Sequence, residues 1–227
     1  AKDALKAPGL VAAAKRHRRD IVKTTLAETV EAACKAGLVF QAGQHPVEIR
    51  QLLEVLEELR PKTLCEIGSA AGGNLLLFSL AAHAEARMVS VDVAHTFDRR
   101  RAYPKLVGPE QRLTCLRGDS HSAECAERVS RALAGRPLDF LFIDGDHSYA
   151  GVKADFERYG PMVRTGGLVA FHDIVLDHRQ RFGKETPSDT GGVPTYWKEI
   201  SPRYPTAREI IADREQDGFG IGLFFIP

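Results

Sequence analysis

The chain has 227 residues, of which 44% are hydrophobic and 27% are charged, and its formal net charge is +1. This composition is ordinary for a globular protein, and the nearly neutral charge excludes an overall field that would recruit nucleic acid or an acidic membrane. No apolar run approaches the roughly 20 residues that a membrane-spanning helix needs. We therefore expect one large α/β domain without a membrane or nucleic-acid partner.

The N-terminal 22 residues are rich in Ala, Lys and Arg but lack the apolar core and small-residue cleavage site of a secretory signal. The four cysteines form no C-x-x-C pair. Two of them, Cys65 and Cys115, lie in apolar runs where a small buried thiol is expected. The sequence thus predicts reduced thiols, no disulfide and a cytoplasmic location.

Apolar residues at three- and four-residue steps predict helical structure from residue 1 to about residue 37. A basic cluster at 15–19 is interpreted as a solvated helix face rather than a phosphate contact, because the whole chain is nearly neutral. A second apolar stripe predicts a helix over 47–59, which ends before Pro61. These patterns indicate an N-terminal helical arm over 1–43 and a larger domain over 44–227.

The larger domain opens with a predicted strand over 63–67, a loop over 68–74 and a helix over 75–82. A strand, a glycine-containing loop and a helix N-terminus form the arrangement that holds nucleotides through backbone amides. The spacing is G-x-x-x-G, so it matches neither the dinucleotide fingerprint G-x-G-x-x-G nor the P-loop. By itself this loop is a weak signal, because an ordinary strand-to-helix turn also explains it.

Acids recur at the ends of the predicted strands that follow. Asp92 ends the strand over 88–92, Asp119 follows the strand over 113–118, and Asp144 follows the apolar run 140–143. The next run, 166–171, is followed by His172 and Asp173. Buried parallel strands carry their ligands at their carboxyl ends, so these side chains should meet in one site. Carboxylates beside imidazole suit either a divalent metal or an acid/base pair.

The last quarter of the chain has a different pattern. Residues 176–194 are polar and rich in Gly and Pro, which predicts a long mobile loop or lid. A short helix is expected over 196–200. Two strands, over 207–212 and 218–226, would close the sheet as an antiparallel hairpin.

Several of these segments resemble a known family. Residues 64–72, Asp92 and residues 118–120 resemble the first three motifs of class I S-adenosylmethionine-dependent methyltransferases. Residues 143–149 and 166–173 resemble, more narrowly, the metal-dependent small-molecule O-methyltransferases that include antibiotic-tailoring sugar O-methyltransferases and proteins labelled cephalosporin hydroxylases. The resemblance covers roughly residues 44–173. It implies a Rossmann-like doubly wound sheet, mostly parallel, with an antiparallel C-terminal hairpin strand and added N-terminal helices.

The resemblance also implies how S-adenosylmethionine would bind. Gly68 and Gly72 would let the backbone approach the methionine part of the cofactor. Asp92 would take the ribose hydroxyls, and Asp119 with Ser120 would take the adenine. Asp146 would face the ammonium or sulfonium side. The implied cofactor-binding residues are Glu66, Gly68, Ser69, Gly72, Asn74, Asp92, Asp119, Ser120 and Asp146.

In the metal-dependent branch a divalent ion, usually Mg²⁺, binds the positions that correspond to Asp144, His172 and Asp173. His172 departs from the Glu, Asp or Asn of many relatives, and imidazole suits ions such as Mn²⁺, Fe²⁺ or Zn²⁺ better than Mg²⁺. Either His172 turns away and Mg²⁺ uses the two carboxylates and water, or the ion differs. A site without metal, whose acids cap helices, remains the alternative.

The implied reaction moves the methyl group of S-adenosylmethionine to a hydroxyl of a small molecule, such as a natural product or a sugar. An alcohol is a weak acid, so the hydroxyl needs a metal and a base to lose its proton. His147 occupies the position of the base, and an imidazole is well matched to neutral pH. Asp144 would share the catalytic role, and Tyr149 and Trp197 would form walls of the acceptor pocket.

Other functions were weighed against this one. A metal-independent or non-catalytic S-adenosylmethionine-binding relative would not need Asp144, His147 and Asp173 together. A nicotinamide-dependent oxidoreductase should carry G-x-G-x-x-G, and a nucleic-acid methyltransferase should have a basic groove with stacking aromatics. The amphipathic N-terminal arm leaves open a homo-oligomer in which it packs on a partner subunit.

Overall fold

The computed structural model describes residues 7–36 and 39–227. The N-terminal arm consists of α1 (Ala7–Ile21) and α2 (Leu26–Cys34), so the single helical stretch expected over 1–37 is interrupted at residues 22–25. Thr25 is the reason for the break, because its side chain accepts from Glu28 N and forms a capping box that begins a new helix. Residues 1–6, 37 and 38 of the predicted arm lie outside the described residues.

The third helix, α3 (Pro46–Leu59), confirms the prediction over 47–59 within one residue. Its apolar stripe is buried, and Pro46 occupies the first turn, where a missing N–H costs nothing. Arg60, before Pro61, adopts a left-handed conformation with φ 46° and ends the helix. The helix lies over the sheet, and its N-terminus begins next to the carboxyl ends of the strands.

The centre of the fold is a seven-stranded sheet in the order β3-β2-β1-β4-β5-β7-β6. Five neighbouring strands are parallel, β7 runs antiparallel to β5, and β6 runs antiparallel to β7. This is the predicted doubly wound sheet with an antiparallel hairpin at one edge. The strands are β1 (Thr63–Ile67), β2 (Arg87–Asp92), β3 (Arg112–Arg117), β4 (Leu138–Ile143), β5 (Val163–His172), β6 (Arg208–Ile210) and β7 (Ile221–Phe225).

Helices cover both faces of the sheet because successive strand residues point to opposite sides. Phe140 and Phe142 of β4 pack into the core beneath α1–α4, while Leu141 and Ile143 pack into the second core beneath α6, α7 and α9. Strand β4 is therefore buried on both of its faces, which explains why its sequence is a nearly continuous apolar run. The remaining helices are α4 (Gly73–Ala81), α5 (Phe97–Ala102), α6 (Ala123–Ala132), α7 (Tyr149–Tyr159), α8 (His178–Phe182) and α9 (Val193–Ile200).

The long mobile loop predicted over 176–194 is instead an anchored segment with its own secondary structure. It contains α8, and α9 begins at Val193 rather than near residue 196. Asp177 is 1% exposed and Thr190 is fully buried, and the two side chains contact each other. The polar composition that suggested a lid reflects internal hydrogen bonds rather than solvation.

Glu48 of α3 connects this helix to the C-terminal hairpin. Its carboxylate is fully buried and accepts hydrogen bonds from Ala212 N (3.0 Å), Gly220 N (2.8 Å) and Gln216 Nε2 (2.7 Å). A buried carboxylate is tolerated only when it is paired in this way. Glu48 therefore fixes the 212–220 turn next to the carboxyl end of β5.

We expect Glu48→Ala to lower the free energy of unfolding by about 2–4 kcal/mol, because it leaves buried backbone donors without an acceptor. Glu54→Ala in the same helix is the control, since Glu54 is exposed and its 3.8 Å contact with Arg50 should contribute less than about 1 kcal/mol. Urea unfolding of both variants measures the difference. Equal losses would show that the Glu48 contacts are not stabilising.

All four cysteine thiols are free, and three of them, Cys65, Cys115 and Cys125, are buried. Among the helices described here, none combines the length and the apolar character that crossing a membrane requires.

Candidate functional site

A cavity of about 630 Å³ opens at the carboxyl ends of β1–β5. Ile67 of β1 is paired with Val91 of β2 and with Ile143 of β4, so these strands end level with one another. The chain order reverses between β1 and β4, and such a switch point is where open α/β sheets bind ligands. A cavity of this size can hold a nucleotide-sized molecule.

The loop after β1 forms one wall of the cavity. Gly68 has φ 81°, and a Cβ there would lie 2.0 Å from the carbonyl oxygen of Asp144, so only glycine fits between the ends of β1 and β4. Gly72 also has a positive φ, 84°, and caps α4 against the ring of Tyr103. At Gly68 the loop therefore presents backbone atoms, rather than a side chain, to the cavity.

Asp92, at the end of β2, holds this loop in place. Its Oδ2 accepts from Ser69 N at 3.0 Å and from Ala70 N at 2.9 Å, and its Oδ1 accepts from Ala94 N at 2.6 Å. Asp92 lines the cavity and also organises the loop of the neighbouring strand. That second contact was not predicted.

Most of the predicted site residues line this one cavity, and two of the predicted cofactor residues do not. Glu66 is fully buried beneath the loop, where burial first and the nearby Asp144 second raise the pKa of its carboxyl well above the usual range. Gly72 belongs to the loop but does not line the cavity, and it packs against the ring of Tyr103. The predicted residues that do line the cavity are Gly68, Ser69, Asn74, Asp92, Asp119, Ser120, Asp144, Asp146, His147, His172 and Asp173.

Asp144, His147, His172 and Asp173 form a compact acid–imidazole cluster at the end of β4 and β5. His172 Nδ1 lies 3.1 Å from Asp144 Oδ1 and 3.3 Å from Asp173 Oδ2. His147 Nε2 lies 3.5 Å from Asp144 Oδ1, and its Nδ1 lies 3.5 Å from Asp173 Oδ2. Two imidazoles thus bridge two carboxylates.

The charges of the cluster are interdependent. The hydrogen bond to Asp144 raises the pKa of His147 to about 9, against the opposing effect of burial. Burial lowers the pKa of His172, but the neighbouring Asp144 and Asp173 carboxylates outweigh it and raise that pKa to about 10. At neutral pH both rings are therefore positively charged, with a hydrogen on each ring nitrogen, as long as no other cation neutralises the carboxylates.

Three donors of this cluster, from Asp144, His147 and Asp173, lie within 4.8 Å of one another, as ligands of one metal ion would. The sequence-based set had His172 in place of His147. His172 Nδ1 lies between the two carboxylates, and its Nε2 is buried without a hydrogen-bond partner in the described structure. Oxygen and imidazole donors in this number suit a divalent cation.

Gln44 is a site residue that the sequence analysis missed. It is 6% exposed, lines the cavity, and donates from Nε2 to Asp144 Oδ2 at 3.1 Å. It lies just before α3, 100 residues from Asp144 in the chain, so only the packing of α3 against the sheet brings them together. No local motif around Gln44 signals this role.

The comparisons with known proteins agree with this geometry. Residues 65–174, which span β1 to the end of β5, match the family described as "Methyltransferase domain". These residues form a methyltransferase domain.

In sequence, the chain is similar to mycinamicin VI 2''-O-methyltransferase of Micromonospora griseorubida, at 32% identity over 84 residues. That match covers 37% of this chain and 21% of the relative, so the chain spans about a fifth of this curated relative.

The fold is similar to that of the O-methyltransferase TomG of Streptomyces achromogenes, solved with S-adenosylmethionine, with a TM-score of 0.60 at 15% identity. That match covers 99% of this chain and all of TomG. The MycE methyltransferase, solved with Mg, S-adenosylhomocysteine and mycinamycin VI, gives a TM-score of 0.55 at 16% identity and covers 88% of this chain and 53% of MycE.

The two predicted acceptor-pocket residues lie outside the cavity of the methyltransferase domain. Trp197 is 2% exposed and stacks on Phe224 in the core, with its indole N–H donating to Glu209 Oε1 at 2.7 Å. Tyr149 points away from the site and donates its hydroxyl to Glu199. The ring of each residue packs against other aromatic rings, and its polar group donates to a nearby glutamate. Neither residue lines the cavity in this structure.

His121 extends the cavity wall of the methyltransferase domain near Asp119 and Ser120, and the buried Asp155 contacts it. His121 lines the cavity, and its Nε2 lies 3.5 Å from Asp155 Oδ1. Asp155 of α7 is fully buried, and burial raises the pKa of its carboxyl to about 6. The pair was not predicted, because His121 follows a turn and Asp155 lies in a helix 34 positions later.

We expect the wild type to lose stability relative to Asp155→Asn as the pH rises from 4 to 6. The Asp155 carboxyl binds its proton more tightly in the folded state (pKa about 6) than in the unfolded state (pKa about 3.9), so ionisation favours unfolding in this range. The amide of the variant does not titrate. Urea unfolding at pH 4, 5 and 6 measures the difference, and parallel curves for the two proteins would contradict it.

Proposed function

We propose that the protein is an S-adenosylmethionine-dependent O-methyltransferase that methylates a hydroxyl of a small molecule of the natural-product or sugar class. The observation that supports it best is the position of the Asp144–His147–His172–Asp173 cluster, which shares one cavity with the bare-backbone loop around Gly68. The proposed cofactor site is therefore next to the side chains proposed to remove the proton from the acceptor hydroxyl. The names of the O-methyltransferase relatives support the reaction class and the kind of acceptor.

In this proposal the loop after β1 holds the methionine part of the cofactor, with Ser69 and Asn74 at the cavity surface. Asp92 takes the ribose, and Asp119 and Ser120 take the adenine. Asp146 faces the positively charged end. Each of these residues lines the cavity. Apart from Asp146, which follows β4, they follow the neighbouring strands β1, β2 and β3 in the order proposed for the parts of the cofactor, which supports the assignment.

The residues of the acid–imidazole cluster fit a divalent cation, probed first as Mg²⁺ and then as Mn²⁺. Asp144 and Asp173 would hold it, and His172 would become a ligand only by giving up the proton that now pairs it with both carboxylates. The cofactor supplies a methyl group on a sulfonium, and the cation makes a hydroxyl beside it more acidic.

His147 then serves as the base. Its ring lies at the cavity surface within 3.5 Å of both carboxylates, so a hydroxyl near Asp144 is within reach of the imidazole. The ring accepts a proton only when it is neutral, and added positive charge near Asp144 lowers its pKa from the value of about 9 towards neutrality. Asp146 is a weaker base, because the backbone N–H of Ser148 lowers the pKa of its carboxyl.

Calorimetry on chelator-treated protein tests the proposal. S-adenosylmethionine is titrated first, followed separately by Mg²⁺ and Mn²⁺, for the wild type, Asp144→Ala and the exposed control Asp20→Ala. We expect cofactor binding in all three and a metal heat that only Asp144→Ala loses. Cofactor binding without a metal heat would favour a metal-independent methyltransferase, and absence of cofactor binding would overturn the proposal.

A further inference from the structure

A segment outside the matched domain lies directly against the ring and backbone of His147. We call residues 186–192 the strap. The backbone carbonyl of Asp189 lies 2.5 Å from His147 Nδ1, and Gly192 N donates to the carbonyl of His147 at 2.6 Å. The strap thus contacts the residue proposed as the base through main-chain atoms on both sides.

Two glycines allow this close approach. A Cβ at Gly191 would lie 2.2 Å from the carbonyl oxygen of His147, and φ there is 53°. A Cβ at Gly192 would lie 2.4 Å from Tyr149 N. Real side chains do not tolerate such distances to backbone atoms, so the strap can rest on the segment 147–149 only because both positions are glycine.

The strap is anchored at its other side by buried polar contacts. Asp177 Oδ2 accepts from Thr190 N at 3.2 Å and from Thr190 Oγ1 at 3.4 Å, and both residues are almost completely buried. Gln180 Nε2 donates to the Gly191 carbonyl at 2.8 Å. The position of the Asp189 carbonyl is therefore set by the fold rather than by solvent.

We propose that the strap selects the tautomer of His147, with Asp189 acting as a positioning residue through its backbone carbonyl. The Asp189 carbonyl and the Asp144 carboxylate both only accept hydrogen bonds. Nδ1 lies 2.5 Å from the carbonyl, whereas Nε2 lies 3.5 Å from the carboxylate, beyond the usual hydrogen-bond length, so the hydrogen belongs on Nδ1. In the neutral ring this places the hydrogen on Nδ1 and the lone pair on Nε2, the nitrogen that faces Asp144. The inference rests on the proposed role of His147, because a base needs its lone pair directed at the hydroxyl.

The tautomer is read directly by long-range ¹H–¹⁵N NMR of the histidine rings. Spectra are recorded over a series of rising pH values until the ring signals of His147 stop shifting, which marks the neutral ring. The His147 signals are assigned by their loss in His147→Ala. We expect a protonated Nδ1 and a non-protonated Nε2 in the wild type, whereas a free neutral histidine prefers the hydrogen on Nε2.

Gly191→Ala is expected to lift the strap and shift the ring towards the Nε2–H tautomer. Gly183→Ala is the matched control. Gly183 has a left-handed backbone like Gly191, with φ 67°, but a Cβ there meets nothing within 4 Å. Asp189→Ala keeps the backbone carbonyl and should also leave the tautomer unchanged. If Gly191→Ala does not fold, Thr190→Val removes the anchoring hydroxyl, and Thr190→Ser restores it.

An Nε2–H tautomer in the wild type would overturn the inference. So would an unchanged ring in both Gly191→Ala and Thr190→Val. The readout needs no acceptor and no cofactor, so a failure of the inference can be told apart from a failure of the proposed function. Titration of S-adenosylmethionine into Gly191→Ala then separates the two: unchanged affinity with a shifted tautomer supports both, and failure of the wild type to bind overturns only the proposed function.

Discussion

His147→Ala should lower the turnover number by about 10²–10⁴-fold, the usual contribution of a general base. The affinity for S-adenosylmethionine should stay nearly unchanged, because all the predicted cofactor contacts except Asp146 come from β1 or from the segments after β1, β2 and β3, and His147→Ala leaves Asp146 in place. Release of S-adenosylhomocysteine measures the effect, with an acceptor selected from a panel of hydroxylated small molecules that begins with mycinamycin VI.

The control for this substitution is His83→Ala, since His83 does not line the cavity and lies near the amino ends of β1 and β2, where its backbone N–H donates to the Pro61 carbonyl. Metal titration of His147→Ala separates two roles. A retained Mg²⁺ or Mn²⁺ heat with lost turnover assigns the ring as a base, and loss of both makes His147 a metal ligand. Unchanged turnover would remove both roles.

Gly68→Ala should lower the free energy of unfolding by about 4 kcal/mol or more, which is exceptional for a single methyl group. Left-handed backbone alone costs an L-residue about 1–2 kcal/mol. The larger part comes from the Cβ, which would lie 2.0 Å from the backbone oxygen of Asp144 and would force the ends of β1 and β4 apart.

Gly135→Ala isolates the backbone contribution. Gly135 has φ 68°, and a Cβ there meets nothing within 4 Å, so we expect a loss of only about 1–2 kcal/mol. Urea unfolding compares the two variants. Equal losses would mean that β1 and β4 separate easily, and the close approach at Gly68 would then have no structural importance.

The repeating part of the fold could be predicted because local sequence encodes it. Strands β1, β2 and β4 are short apolar runs that end at an acid or a glycine, and α3 has a clean apolar stripe. The edges were less accurate: β5 begins at Val163, three residues before the predicted start, and β6 is only three residues long. The break at residues 22–25 and α5 depend on single caps, Thr25 and Thr96, which periodicity does not detect.

In the candidate site, residues at strand ends were predictable and residues from elsewhere were not. Asp92, Asp144 and Asp173 follow apolar runs, so their common location follows from the parallel sheet. Gln44 and the Asp189 carbonyl reach the same site from distant segments, and one of them acts through its backbone. Trp197 was assigned to the pocket on chemical character alone, and burial against Phe224 and Glu209 shows the limit of such reasoning.

The position of β7 in the chain has a consequence for the order in which the site matures during synthesis. Asp92 holds the loop after β1 through the backbone N–H groups of Ser69 and Ala70, and these contacts are available once residue 92 has been made. Asp173 Oδ1 accepts from Phe219 N at 3.1 Å, a contact that must wait until residue 219 has been made. The cofactor half of the cavity can therefore form first, and the acid–imidazole half is completed only when the last antiparallel strand docks.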